Sequence, residues 1–274
     1  MAQSSAHQAV VVVPVFLYHS VADVQAAGQK QFTVTTAQFE QHADAIAASG
    51  RVALTISELA RALRGERTLP ARTVAITFDD GFADTLAAVQ TLHARGITST
   101  VFITSSWLDS ARGLSTAAAR EIASSGAEIG GHSVSHPYLD ELPPALAMHE
   151  IEAGKRVLEQ KLELPIATFA YPHGAYGPRV RRCVIDAGFS SATAVKNALS
   201  HNHDDPFAIA RLTIMADTPL DTVVAALDGR GAPLAWPGER YRTRAFRGVR
   251  RLRRRARSVG RPPLLQDRTT RNGH

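Results

Sequence analysis

A single cysteine, Cys183, occurs in the 274 residues, so no intrachain disulfide can staple the fold and a large packed core must hold it together. A lone thiol suits a reducing compartment. Aromatic residues make up only 6% of the chain, which favours a compact pocket for a short acceptor over a long stacking groove for a polymer. No apolar run approaches the ~20 residues that a membrane-spanning helix requires. The run Ala9–Tyr18 is broken by Pro14, no Lys or Arg precedes it, and no small-residue cleavage pattern follows. It reads as a buried strand, and a cytoplasmic protein is expected.

What is present is ordinary for a soluble globular chain: 45% hydrophobic and 20% charged residues, which excludes wholesale disorder and collagen-like repeats. The formal charge of +6 hides an asymmetry. Thirteen Arg fall between Gly238 and His274, beside only Glu239 and Asp267, so the preceding body is mildly acidic. The basic balance therefore does not argue for specific nucleic-acid binding by the folded part. One domain over residues 9–234 and an Arg-rich tail over 235–274 are expected. The run Arg250-Arg251-Leu252-Arg253-Arg254-Arg255-Ala256-Arg257 could meet nucleic acid, acidic polysaccharide or lipid, and Coulomb attraction alone does not choose. Peripheral contact with an anionic membrane is the expectation carried forward, with a solvated tail as the plainer alternative.

Short β-branched runs alternate with stretches of helical spacing. Strands are expected at Val10–Tyr18, Thr73–Phe78, Thr98–Ile103, Ala127–Ile129, Ile166–Tyr171, Phe189–Val195 and Phe207–Ile214. Helices are expected at Ala83–Arg95, Ser115–Ser125, Pro143–Leu164 and Pro178–Ala187, with Gly96, Gly126 and Pro165 as stops. This β-then-α order implies a parallel sheet, either open and doubly wound or closed.

Two clusters carry chemistry. Thr77-Phe78-Asp79-Asp80-Gly81 puts adjacent carboxylates at a strand end, where alternation would send one to a metal and the other toward water or substrate; a turn capping the next helix is the bland alternative. His132-Ser133-Val134-Ser135-His136 follows Gly130-Gly131, and two His four apart in a helical turn share a face and can bind one divalent ion. An exposed helix start is the alternative there. Joined, the clusters make an Asp-His-His set suited to Zn²⁺, with Co²⁺, Ni²⁺ or Mn²⁺ also accepted.

TFDDG and HSVSH, in this order and followed by Phe169-Ala170-Tyr171-Pro172-His173-Gly174, resemble the signature of the polysaccharide deacetylases, the NodB-homology domain of carbohydrate esterase family 4. The likeness covers roughly residues 10–215. It implies a metal held by Asp80, His132 and His136, with Asp79 as the general base for the attacking water. It also implies that the backbone N–H of His173, in a segment with Tyr171, donates to the tetrahedral oxyanion, a turn with an exposed His being the alternative. The implied activity is removal of N-acetyl groups from an amino-sugar glycan.

Two departures from the family pattern stand out. The late Asp-x-x-Asp-Trp and Leu-x-His motifs are missing, whereas Leu17-Tyr18-His19 has the Leu-x-His form at the first strand end. That arrangement resembles the branch containing the exopolysaccharide poly-N-acetylglucosamine deacetylases, which implies His19 as the catalytic acid, with a loop-capping His as the alternative. The Arg that opens the third motif is replaced by Ala167-Thr168, and Arg211 is the candidate to orient Asp79 unless it serves an ordinary ion pair. All these residues follow expected strands, as they would at the C-terminal face of a distorted (β/α) barrel, the fold class expected here. An amidase on a small non-sugar N-acyl substrate and an inactive glycan-binding domain are the competing functions.

Overall fold

The computed structural model describes residues 9–24 and 28–238. Seven parallel strands, β1 (Val15–Tyr18), β2 (Thr73–Phe78), β3 (Thr100–Ile103), β4 (Glu128–Gly131), β5 (Thr168–Ala170), β6 (Ser191–Val195) and β7 (Ile209–Thr213), pair in chain order. β7 pairs back onto β1 through Leu212–Phe16 and Thr213–Leu17, and β1 onto β2 through Tyr18–Phe78, which closes the ring. The expected barrel is therefore the fold. Helices α1 (Thr36–Ala48), α2 (Ile56–Leu63), α3 (Thr85–His93), α4 (Thr116–Ser124), α5 (Pro144–Leu162), α6 (Pro178–Asp186) and α7 (Leu220–Leu227) complete it. None is long and apolar enough to cross a membrane.

Strand alternation divides the core in two. Phe16, Tyr18, Ile76 and Phe78 pack outward against helices. Val15, Ala75, Phe102, Ala170 and Ile209 meet inside the ring, where Ile56, Leu59 and Ala60 of α2 join them. α2 thus plugs the N-terminal end of the barrel. Thr55 caps it with a reciprocal bond to Glu58, and each large apolar side chain it buries contributes about 1.5–3 kcal/mol. The Ile56, Leu59, Ala60, Leu63 spacing and this capping box were present in the sequence, yet α1, α2 and α7 were not among the expected helices.

Three other expectations change. The run from Val10 is not one strand: Val12–Val13 pairs antiparallel with Ser200–His201, and the barrel strand begins only after Pro14, which has no N–H to give a ladder. Gly130 and Gly131 do not end β4 but belong to it. A Cβ at Gly130 would lie 2.5 Å from the Phe102 ring, so the strand is glycine-rich because the barrel interior leaves no space there. The body also extends past Leu234, since Ala235 is buried and its amide bonds to the Leu199 carbonyl. The Arg-rich run lies outside the described residues.

Candidate active site

Period-two alternation carries the strand interior up to the site. Thr77 follows Ala75 on the inward face and Asp79 comes next; Arg211 follows Ile209; His19 follows Leu17. Arg211 is fully buried and grips Asp79 with both arms, Nη1–Oδ1 at 2.6 Å and Nη2–Oδ2 at 2.8 Å, while Nη1 also reaches the Thr77 hydroxyl at 3.2 Å. Burial works to raise the Asp79 carboxyl, but the guanidinium outweighs it and, with His132 and His19 assisting, holds the group down at about 2.

Asp80 should leave the strand facing the other way. Instead its φ of 74°, in the left-handed region that Asp tolerates better than most residues, swings its carboxylate back toward the same space. Asp80 Oδ1 lies 3.5 Å from His132 Nε2 and 3.3 Å from His136 Nε2. It is buried without a hydrogen-bond partner. Burial first, and the charge of Asp79 second, push its carboxyl up to about 7. Burial also lowers both imidazoles, His136 to about 2, so these contacts are not ion pairs between charged groups.

The segment joining the two histidines is a correction to the sequence reading. It is not a helical turn: Ser133 and His136 both have positive φ, at 65° and 61°, and the chain forms an irregular loop. Its shape comes from α5. Glu150 accepts the amides of Val134 and Ser135 at 3.1 and 2.9 Å and the Ser135 hydroxyl at 2.8 Å. Gly154 lets the helix approach so closely that a Cβ there would lie 2.9 Å from the Ser133 carbonyl carbon. His132 is oriented separately, with Nδ1 2.8 Å from the Ala170 carbonyl, a contact that only an Nδ1–H can make. Nε2 therefore presents its lone pair to Asp80. Three convergent donor atoms, one of them a buried oxygen lacking any partner, fit a divalent cation.

These groups line a cavity of about 440 Å³ that also takes in His19, Phe32, Trp107 and Arg112. The His19 ring packs on Phe32 at 4.9 Å, and its Nδ1 is buried without a partner. Burial lowers this imidazole to about 4; Asp79 pulls upward, but Arg211 offsets it. The charge of Asp79 thus favours the protonated ring, but burial outweighs it and leaves His19 neutral at pH 7. His173 reaches the cavity, its backbone at φ 58° and its ring between His136 at 4.3 Å and Tyr138 at 3.9 Å. Tyr171 does not line the cavity. Its ring is buried against Tyr176 and its hydroxyl donates to the Phe207 carbonyl at 3.0 Å, so its side chain holds the fold and not the substrate.

Sequence reading missed Glu150, Trp107 and Arg112. Trp107, one of two tryptophans, stands just past the end of β3 and could have been flagged by position; Glu150 gave no signal apart from lying on an amphipathic helix.

Comparison with known proteins agrees with this geometry. Residues 66–192 match the family model described as polysaccharide deacetylase. YxkH of Bacillus subtilis (strain 168) is 22% identical over 203 residues, 74% of this chain and 71% of its own. Among solved structures, the deacetylase PplD of Streptococcus pyogenes, in complex with acetate, superposes with a TM-score of 0.72 at 20% identity over 79% of this chain and 98% of that one. IcaB from Ammonifex degensii does so with 0.69 at 23% identity over 81% and 97%. At these identities the structures speak for the fold, and the matched domain speaks for the family. Residues 66–192 carry a polysaccharide deacetylase domain, of the family of hydrolases that act on the carbon–nitrogen bonds of N-acetylated sugars.

Proposed function

We propose that this chain removes N-acetyl groups from an amino-sugar glycan with the help of a divalent ion, Zn²⁺ first among the candidates, held by Asp80, His132 and His136. The observation that supports this reading most is the partnerless buried Oδ1 of Asp80, facing two neutral imidazole nitrogens beside a carboxylate locked by Arg211. When bound, such an ion acidifies water and polarises the acetyl carbonyl.

Asp79 stays ionised over the working pH range and is oriented by Arg211, so it is the group to take the proton of the attacking water. His173 brings its backbone to the same cavity, where its N–H would donate to the tetrahedral oxyanion. His19 gives its proton to the leaving amine. Burial keeps its ring neutral at pH 7, so it first takes up a proton from solvent as negative charge develops on the tetrahedral adduct, and that proton leaves with the amine.

The test is acetate release from N-acetylglucosamine oligomers by zinc-reconstituted protein. Asp79→Asn and Asp80→Ala should each cost about 10²–10⁴-fold in kcat/KM. Full activity in either variant would refute its assigned role; no activity in metal-loaded wild type would refute the substrate.

A cytoplasmic location and a contact between the Arg-rich tail and anionic lipid complete the proposal. Deleting residues 244–274 should abolish cosedimentation with phosphatidylserine vesicles, and unchanged cosedimentation would remove the tail from the account.

A further inference from the structure

One charge in the cavity has no role in the chemistry above. Of the Asp and Arg residues that line it, Asp79 is neutralised by Arg211 and Asp80 faces the cation site, which leaves Arg112. Among the described residues its guanidinium makes no hydrogen bond and no ion pair. Its short contacts are aromatic: it lies 3.4 Å over the Trp107 ring and 5.7 Å from that of Phe82, and those two rings stack at 5.9 Å, while at longer range its charge works to lower the Asp80 carboxyl.

The backbone fixes this arm firmly for an exposed residue. The Arg112 carbonyl accepts the Ala83 amide at 3.0 Å, and Leu114 donates to Gly81 at 2.9 Å, so the loop is pinned to the turn that carries Asp79 and Asp80. Gly113 between them admits no side chain, since a Cβ would fall 2.1 Å from the Trp107 carbonyl oxygen. Trp107 in turn lies 5.6 Å from the His136 ring. A guanidinium held over an indole can keep N–H groups for a planar, bidentate acceptor, and that contact lowers the entropy lost when the acceptor arrives.

We infer that Arg112 is a specificity-determining residue that selects an acetamido sugar bearing an anionic oxygen group, a carboxylate or a phosphate, within reach of the reacting centre. The inference rests on the deacetylase reading and narrows its substrate class. With a divalent ion in the site, the pocket as a whole is cationic, which attracts such a substrate and repels the ammonium product once acetate has been cleaved off.

Three probes test this on the full-length, zinc-loaded protein: a neutral N-acetylglucosamine oligomer, the same oligomer with a carboxylate-bearing ether on the acetamido ring, and one with a phosphate monoester there. Wild type should show a higher kcat/KM on at least one anionic probe than on the neutral one, and the better of the two identifies the group. In Arg112→Gln that anionic-to-neutral ratio should fall about tenfold or more, mostly through KM, and Arg112→Lys should recover part of it. KM for the anionic probe should rise with added salt in wild type, and less steeply in Arg112→Gln. A ratio that stays within about twofold while the neutral oligomer is turned over would overturn this inference and leave the deacetylase reading intact. Hydrolysis of none of the three would overturn both.

Discussion

At the N-terminal end of the barrel strands, half-buried charges have hydrogen-bond partners. Arg51 donates to the carbonyls of Leu227 and Thr73 at 2.6 and 2.8 Å, and Glu128 accepts the Ser57 amide and the Thr100 hydroxyl at 3.1 and 2.9 Å. At the C-terminal end of the same strands, Asp80 Oδ1 and His19 Nδ1 have no partner, and Asp80, Ser133, His136 and His173 all adopt positive φ. A non-glycine residue held there costs of order 1–3 kcal/mol. The end plugged by α2 is built for stability, and the stability it supplies is what allows the other end to hold polar atoms unsatisfied and ready for a ligand.

The contrast is sharpest where a charge at the open end does have a partner. Arg211→Met leaves Asp79 buried with no cation, and urea unfolding at pH 7 should show a loss of roughly 3–5 kcal/mol. Adding Asp79→Asn to that variant should restore much of the loss, because the uncompensated charge is gone. If Arg211→Met alone costs less than about 1 kcal/mol, solvent reaches Asp79 and the open end is wetter than its burial implies.

Asp80 tests the opposite sign. Its folded pKa of about 7 lies above the ordinary carboxyl value of 3.8, so its contribution to stability is full below about 4 and is lost as pH rises through 7. Asp79, held at about 2, contributes stability that is present above 3.8 and lost only in strong acid. Between pH 5 and 8 the chelator-treated wild type should therefore lose roughly 2–4 kcal/mol that Asp80→Asn does not lose. At pH 8 the variant should unfold at higher urea than wild type, and zinc should stabilise wild type alone. Parallel pH profiles for the two proteins would mean that Asp80 is not strained in the metal-free site.

This difference between the ends also explains what could be read in the sequence. Regular alternation is local, so β2 with Asp79 at its end, β7 with Arg211, and the barrel they imply were legible from short runs. The pairing of Asp79 with Arg211 could be guessed because both sit on the inward register of strands that end at one face. The loop between His132 and His136 could not, because its shape is imposed by Glu150 and Gly154 from a helix more than a dozen residues on, and i,i+4 spacing suggested a helix instead. Tyr171 was misplaced for a similar reason: adjacency to a functional turn does not reveal that the ring stacks on Tyr176 and its hydroxyl is bonded to Phe207. α2 was overlooked despite its capping box, because a helix that closes a barrel end stands outside the strand-then-helix rhythm used to find the others.

The smallest expected effect is at the closed end, and it bears on whether the two ends are independent. Burial raises the Glu128 carboxyl, and the bonds from the Ser57 amide and the Thr100 hydroxyl go to the same oxygen, Oε2. Glu128→Gln can keep both by placing its amide oxygen there, so it should cost less than about 1 kcal/mol in stability and leave kcat/KM for acetate release within about twofold. The position is some four residues down β4 from His132, and the strand between them is packed glycine against Phe102 with no room to shift. A tenfold loss of activity at unchanged stability would show that the closed end does set the geometry of the open one, with β4 as the rigid element that carries the coupling.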